Sequence, residues 1–269
     1  MASLLMPNIG LITVRQLARV GFSHVFVTRH IGDGNAISIN TREYNYYFPL
    51  HLSSGDIQTT LSVHSTHNLA EDFLKRMRTT LPLELDNSQT GDLASTFGAL
   101  DVLRYFYAIL HSPTYRTRYA EFLKIDFPRV PLTSSLDLFR GLAALGGELV
   151  ALHLLESPAL ARKMVYYDGP EWPRVEKVSY GDEFVYLDKA CTYGFDGMPE
   201  AVWNFRIGGY QVCEKWLKDR GPRKGQPGRL LSPEDIDHYQ RIVVALHETI
   251  RIMGEIDALI DEHGGWPIA

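Results

Sequence analysis

The residues best suited to chemistry lie between positions 203 and 229, where aromatic, amide and cationic side chains follow one another closely. The run Trp203–Gln211 combines aromatic rings and a side-chain amide with the glycine pair Gly208-Gly209. Such groups can read base edges while cations bind phosphates. The segment 206–229 has seven basic and two acidic residues, a local balance of +5. This pattern favours nucleic-acid contact, but a solvated surface loop has a similar composition.

Charge is distributed unevenly along a chain whose formal net charge is −5 and whose isoelectric point is near 6.1. The segments 1–42 and 104–129 each have a local balance of +3, whereas 230–269 has eight acids and two bases. The total argues against a protein that coats nucleic acid without regard to sequence. The local counts predict one positive face and one negative face.

Motifs for catalysis are missing from the sequence. It contains no phosphate-binding GxxxxGK[ST] loop, no GxGxxG, no GxSxG elbow and no HExxH. The acids Asp182, Glu183 and Asp188 with Lys189 faintly resemble the metal-binding set of a nuclease, but their spacing is too loose to support one. We therefore expect no catalytic residue, no metal site and no cofactor in this chain.

The two cysteines, Cys191 and Cys213, have no second pair at metal-ligand spacing, so we expect neither a disulfide framework nor structural zinc. No stretch reaches the ~20 apolar residues of a membrane span, and the amino terminus does not resemble a signal peptide. These features predict a cytoplasmic protein with no membrane contact.

The composition, 45% hydrophobic and 22% charged over 269 residues, predicts a globular protein with one large domain or two small ones. Periodicity predicts a mixed α/β (α+β) fold, with recognition parts that contain strands and are joined by long helices. Expected strands are Ile12–Val14, His24–Thr28, Ala36–Ile39 and Tyr44–Leu50, then several between 163 and 208 with a hairpin turn at Gly181-Asp182.

Expected helices start near residue 67, at Leu93, at Pro113 with Tyr115, Tyr119 and Phe122 on one side, at Leu136 and at Pro233. Ser112-Pro113 and Ser232-Pro233 each combine a capping residue with a proline at the first helical position. The last helix has an apolar seam that we expect to pack on the buried helix Leu136–Leu155, with helices outside this chain as the alternative partner. We divide the chain into 1–135 and 136–269, with one continuous domain as the alternative.

Four runs resemble a known family when they are taken together. They are NIGLITVRQ (8–16), YAILHSPTYRTRYAEFLKIDFPRVPL (107–132), and WNFRIGGYQVCEKWLKDR with LSPEDIDHYQRIV (203–220 and 231–243). They are similar to the carboxyl-terminal specificity region of Type ISP restriction-modification enzymes and of related adenine-specific DNA methyltransferases. The resemblance implies that further residues precede Asn8 and that nuclease, ATPase and methyltransferase domains belong to the same polypeptide.

This resemblance implies a DNA target-recognition function without catalysis in this chain, which has neither the methyltransferase NPPY-type motif nor the ATPase loop. S-adenosylmethionine and ATP are then used only by other domains. The implied partners are double-stranded DNA and the methyltransferase domain, which flips out its adenine. The alternative is a structural or protein-interaction module that no longer binds DNA.

Combined with the charge distribution, the resemblance singles out twelve residues for DNA contact. Candidates to read bases are Arg15, Gln16, Arg29, Tyr210 and Gln211, and candidates to bind phosphates are Arg206, Lys215, Lys218, Arg220, Arg223, Lys224 and Arg229. The Gln211 amide has a rival role as a helix cap.

Overall fold

The chain combines helices with several small sheets, and the computed structural model describes residues 7–17, 21–34, 43–54 and 64–268. The predicted mixed α/β class with a long carboxyl-terminal helix is confirmed. Contacts within the chain define two compact units, Met1–Leu154 with Ile252–Ala269 and Leu155–Arg251. Arg19, Arg42 and the expected strand Ala36–Ile39 lie outside the described residues.

The first unit begins with antiparallel strands whose β-branched and aromatic residues were recognisable in the sequence. The described strands are β1 (Gly10–Val14), β2 (Val25–Thr28), β3 (Asn45–Pro49), β4 (His51–Ser54), β5 (His64–His67), β6 (Glu84–Leu85) and β7 (Thr96–Phe97). Strand β1 lies between β2 and β3 and is antiparallel to both. Strands β4 and β5 form an antiparallel pair, and β6 and β7 form a parallel pair.

The helices of this unit are α1 (Glu71–Thr80), α2 (Ala99–His111), α3 (Pro113–Arg118), α4 (Ala120–Ile125) and α5 (Leu136–His153). The helix expected from Leu93 was wrong at its start, because α2 begins only at Ala99. Leu93 has a φ of 53°, and the Asp92 carboxylate accepts hydrogen bonds from the backbone N–H groups of the following turn. Asp101 then accepts the N–H of Gly98 at 3.0 Å, which fixes the first turn of α2.

The corner between α2 and α3 confirms the Ser-Pro signal. The Ser112 hydroxyl accepts the backbone N–H of Tyr115 at 2.9 Å, and Pro113 is the first helical residue. The expected single helix carrying Tyr115, Tyr119 and Phe122 is instead divided, since Tyr119 separates α3 from α4. Phe122 is consequently exposed rather than aligned with the buried Tyr115.

Helix α5 packs closely on α2 and thereby belongs to the first unit. A Cβ atom added at Gly146 would lie 1.9 Å from the carbonyl oxygen of Arg104, so only glycine allows the two backbones to approach this closely. The rings of Tyr105 and Phe139 lie 5.1 Å apart between the same helices. Both helices therefore lie in the compact unit that extends to Leu154.

The second unit has an antiparallel sheet in the order β8-β11-β10-β9. Its described elements are a 3-10 helix (Pro158–Ala161), β8 (Tyr166–Asp168), β9 (Ser179–Gly181), β10 (Phe184–Tyr186), β11 (Gly194–Asp196), α6 (Glu200–Trp203), β12 (Arg206–Ile207), β13 (Tyr210–Gln211), α7 (Val212–Lys218) and the first part of α8 (Pro233–Glu262). Val185, Phe195, Cys213, Tyr239 and Val243 form its core.

Helix α8 begins and ends where the sequence predicted. Ser232 and Asp235 exchange hydrogen bonds between side chains and backbone N–H groups, at 3.1 and 3.2 Å, and form a capping box. At the other end Gly264 has a φ of 102°, and the N–H of Gly265 donates to the carbonyl of Ile260.

The expected partner of the α8 seam was wrong for its first half. Tyr239, Val243 and Leu246 pack in the core of the second unit, where the rings of Tyr239 and Phe195 lie 4.5 Å apart. Helix α5 instead faces Leu259, whose Cδ2 would lie 2.6 Å from a Cβ added at Gly141. An apolar stripe specifies burial but not its partner, and here a sheet surface fills that role.

In the described part of the chain, no helix is long and apolar enough to cross a membrane.

The hairpin between β9 and β10 has Asp182 and Glu183 as its turn residues, one position later than expected, because Gly181 pairs with Phe184. Their φ angles of 52° and 57° are both in the left-handed region. Residues other than glycine, asparagine and aspartate rarely adopt this conformation.

We therefore expect the double change Asp182→Asn and Glu183→Gly to raise the free energy of unfolding by about 1 kcal/mol. Urea unfolding followed by circular dichroism measures the difference. An unchanged or lower stability would contradict the strain assigned to this turn.

Two histidines, His111 at the end of α2 and His153 at the end of α5, make the first unit sensitive to pH. The Tyr107 hydroxyl and His153 Nδ1 lie 2.6 Å apart, and His111 Nδ1 lies 2.8 Å from the Tyr107 carbonyl oxygen. Burial and the nearby positive charge of Arg116 lower the pKa of His153 to about 4 and hold the pKa of His111 well below its usual value. Both imidazoles are therefore neutral in the folded protein near pH 7.

We expect the free energy of unfolding to fall as the pH drops from about 6.5 towards 4, because these histidines bind protons in the unfolded chain but stay neutral in the folded protein. For His153 the loss is on the order of 2–3 kcal/mol, and urea midpoints across this pH range measure it. His153→Asn should flatten the dependence, whereas the same change at the exposed His30 should not. An unaltered slope in His153→Asn would remove His153 as the cause.

Candidate nucleic-acid interface

The segment 206–229, here called the basic segment, begins with the β12–β13 hairpin. Gly208 and Gly209 form its two-residue turn with φ angles of 56° and 88°, the conformation for which glycine is favoured. The base of the hairpin is fixed, since the Gln211 amide donates to the Trp203 carbonyl and the N–H of Val212 donates to the Phe205 carbonyl. The hairpin leads directly into α7.

The Gln211 side chain therefore has a structural partner. It occupies the N-cap position of α7 without capping it, and its Nε2 instead bonds the end of α6. Tyr210 is half-buried, and the Lys215 ammonium lies 5.7 Å from its ring centroid. The structure thus commits the Gln211 amide donor to the scaffold and leaves the Tyr210 ring beside a cation.

Four cations of the basic segment are paired with carboxylates of the same unit. Lys215 pairs with Asp219, and Lys218 pairs with Glu214 at 2.8 Å, both four residues apart along α7. Arg229 and Arg220 share Asp235, at 2.7 and 3.7 Å. The α7 pairs were visible in the sequence as i,i+4 spacing, whereas the role of Asp235 was missed because it lies outside the segment.

Arg220 has an additional structural role. Its guanidinium lies 3.4 Å from the centroid of the Trp216 ring and donates to the Trp216 carbonyl at 3.0 Å. Its side chain is only 22% exposed, and burial lowers its pKa. A guanidinium held in this way stabilises the junction of α7 and α8 and is poorly placed to bind a phosphate.

The remaining cations, Arg206, Arg223 and Lys224, are exposed. Within the described ranges, none of the three lies within ion-pair distance of a carboxylate. Arg206 Nη1 donates to the Gly209 carbonyl at 3.3 Å, and Arg223 Nη2 donates to the Asp219 carbonyl at 3.2 Å. Lys224 is at the tip of a second turn, in which residues 223 and 226 form a backbone bridge. The available positive charge therefore lies on two turns, one before α7 and one after it.

The amino-terminal candidates belong to the first unit and do not form one cluster. Arg15 and Gln16 follow the end of β1 and are exposed, but Arg15 pairs with Asp126 at 3.2 Å. Arg29 is exposed after the end of β2. Since β1 and β2 are antiparallel, with Gly10 opposite Thr28, Arg29 lies at the other end of the sheet, about 15 Å away.

The acids that faintly suggested a nuclease do not form a metal site. Asp182 and Glu183 form the β9–β10 turn, and the buried Asp188 accepts two hydrogen bonds from Thr192, at 2.7 and 2.9 Å. Among the described residues, no group of three or more histidine, cysteine, aspartate or glutamate side chains is arranged to hold a metal ion.

The sequence family described as "Type ISP C-terminal specificity domain" matches residues 1–255. The chain belongs to this family. The resemblance predicted from the sequence is thereby confirmed, and the chain is a specificity domain. No curated protein is significantly similar to it.

Solved structures share the fold of this specificity domain. They include a DrdV–DNA complex determined by cryo-electron microscopy (TM-score 0.66, 22% identity, 93% of this chain and 24% of that chain). They also include the ATP-dependent Type ISP restriction-modification enzyme LlaBIII bound to DNA (TM-score 0.60, 18% identity, 95% of this chain and 16% of that chain). A third is a nuclease-deletion mutant of the Type ISP restriction-modification enzyme LlaGI in complex with a DNA substrate mimic (TM-score 0.58, 19% identity, 96% of this chain and 21% of that chain). The specificity domain spans a quarter or less of the length of each of these chains.

The Asp235 contacts give a test of how the basic segment is held. Asp235→Asn keeps an oxygen for the capping box but removes the ion pairs with Arg220 and Arg229, so we expect a loss of about 1 kcal/mol in the free energy of unfolding. Asp235→Ala also removes the cap and should cost about 2 kcal/mol. Hydrogen exchange of the Arg229 amide, which donates to the Arg220 carbonyl at 2.7 Å, should accelerate in both variants.

The matched control is Asp237→Asn, which removes an exposed carboxylate from the start of the same helix. It should leave exchange in the basic segment unchanged. Equal effects of Asp235→Asn and Asp237→Asn would show that the Asp235 ion pairs do not hold the segment.

Proposed function

We propose that this specificity domain binds double-stranded DNA and contributes to target-sequence recognition in a Type ISP-like restriction-modification polypeptide. The observation that carries the proposal is the separation of the basic segment into paired cations and cations available on exposed turns. The three solved structures that share the fold are described as DNA complexes. Membership of a specificity-domain family supports the same function.

In this proposal Arg223 and Lys224 bind phosphates from the turn that follows α7. An exposed cation without a carboxylate partner releases a condensed counterion from DNA without first breaking an ion pair. Lys215, Lys218, Arg220 and Arg229 shape the surface and contribute less to binding, because each already has a carboxylate partner. Gln16 and Arg29 remain candidates for contacts made by the first unit.

We propose further that the domain itself is not catalytic and acts beside a methyltransferase domain of the same polypeptide. S-adenosylmethionine and ATP would be used by those other domains. The chain spans 24%, 16% and 21% of its structural neighbours, which leaves room for such domains. The specificity domain would orient the duplex, and the methyltransferase would flip the adenine.

One observation favours the alternative of a protein-interaction module. Tyr44, Tyr46 and Phe48 are 57%, 39% and 40% exposed, and the last two contact Phe127 with centroids 5.0 and 5.6 Å away. An exposed aromatic row of this kind is typical of protein interfaces. This alternative predicts no binding to any duplex at moderate salt.

Two double variants with the same charge change distinguish contact from net charge. We expect Arg223→Ala with Lys224→Ala to lower duplex affinity about tenfold or more at 0.1 M salt and to reduce the slope of log affinity against log salt by about 2. Lys215→Ala with Lys218→Ala should change the slope by less than about 1. Fluorescence anisotropy over a potassium chloride series measures both.

Equal losses in the two variants would show that only net charge matters and would refute the assignment of Arg223 and Lys224. No binding of the unchanged chain to any duplex, even at low salt, would sink the proposed function in favour of the interaction module.

A further inference from the structure

We propose that Arg206 is a specificity-determining residue, which reads a guanine from the β12–β13 hairpin. This inference rests on the proposed function and adds the reading element and the base. It reassigns Arg206 from the residues expected to bind phosphates to those that read bases. It also removes Gln211 from the candidates to read bases, because the Gln211 amide donates to the Trp203 carbonyl.

The hairpin tip has the shape that approach to base edges requires. Its turn is Gly208-Gly209, so no side chain projects from the tip. Gly209 is exposed, and a Cβ added to it would have no described atom within 4 Å, so there is open space on its side of the turn. A two-stranded β-ribbon fits the major groove, where the guanine O6 and N7 acceptors are displayed.

The Arg206 guanidinium is held in position at this tip. Its Nη1 donates across the turn to the Gly209 carbonyl at 3.3 Å. In the part of the chain that the structure describes, no carboxylate lies within ion-pair distance of it. A guanidinium has five N–H donors in a planar fork, so one bond to the turn leaves donors for the paired acceptors of guanine.

The base of the hairpin is rigid, as readout of a single base requires. The Trp203 ring stacks on the Tyr180 ring at 5.0 Å with an interplanar angle of 18°, and Tyr180 donates to the Met198 carbonyl at 3.1 Å. Gln211 joins β13 to Trp203 through its side chain. The hairpin is therefore anchored to the sheet of its own unit through aromatic and polar contacts.

The other available cations fit phosphate contact better. The Lys224 ammonium is a compact point charge without the fork that matches O6 and N7. Arg223 is held by the Asp219 carbonyl beside the second turn, whose tip includes the Lys224 side chain. Because the Lys224 side chain projects from this turn, the turn is better suited to contact the phosphate backbone than to reach the floor of the groove.

The test is selection of bound duplexes from a pool with a randomised centre, using the full chain. The unchanged protein should select at least one position occupied by guanine. Arg206→Ala should lose that preference and bind the selected duplex about 10- to 100-fold more weakly. For the duplex in which that guanine is replaced, Arg206→Ala and the unchanged protein should have the same affinity.

Arg206→Lys keeps the charge but not the fork, and we expect it to lose the preference as Arg206→Ala does. Arg223→Ala is the matched control and should weaken binding to both duplexes by the same factor. Circular dichroism melting verifies that each variant is folded.

Two outcomes overturn the Arg206 assignment alone. One is selection that retains every base preference in Arg206→Ala, and the other is an equal loss for both duplexes with a salt slope reduced by about 1, which identifies a phosphate contact. Failure of the unchanged chain to bind any duplex overturns the proposed function itself. The two failures are therefore distinguishable.

Discussion

The carboxylate of Asp235 is the interaction on which the basic segment depends. It accepts the backbone N–H of Ser232, so it fixes the start of α8, and it pairs with Arg229 and Arg220. Only 12% of the Asp235 side chain is exposed, and a carboxylate so little solvated requires such partners to remain charged. Both ends of the loop after α7 are thereby tied to the longest helix, while the turn between them faces solvent.

This arrangement divides cations that a charge count treats as equal. Pairs four residues apart neutralise α7, and Asp235 offsets part of the charge of two arginines, so the available charge is concentrated at the turns before and after α7. The same effect occurs in the first unit, where Arg15 pairs with Asp126, 111 residues later in the chain. A local balance of +5 is therefore an upper limit on what a polyanion encounters.

Two hairpins of the second unit show how tip composition assigns function on a common scaffold. Both have two-residue turns with left-handed backbone angles. One tip presents Asp182 and Glu183 and would repel a phosphate, whereas the other is bare glycine beside Arg206. Helices and a sheet hold both in place, and the residues at the turns decide which surface is suited to DNA.

The sequence determined what depends on near neighbours: the capped starts of α3 and α8, the glycine end of α8, the buried α5, the mixed fold class and the family. Each of these signals acts within a few residues or through composition. Tertiary structure decided the rest, because it depends on contacts between distant residues. It placed Phe97 in a strand, gave the α8 seam a sheet as its partner, engaged the Gln211 amide, and chose which cations have a carboxylate within reach.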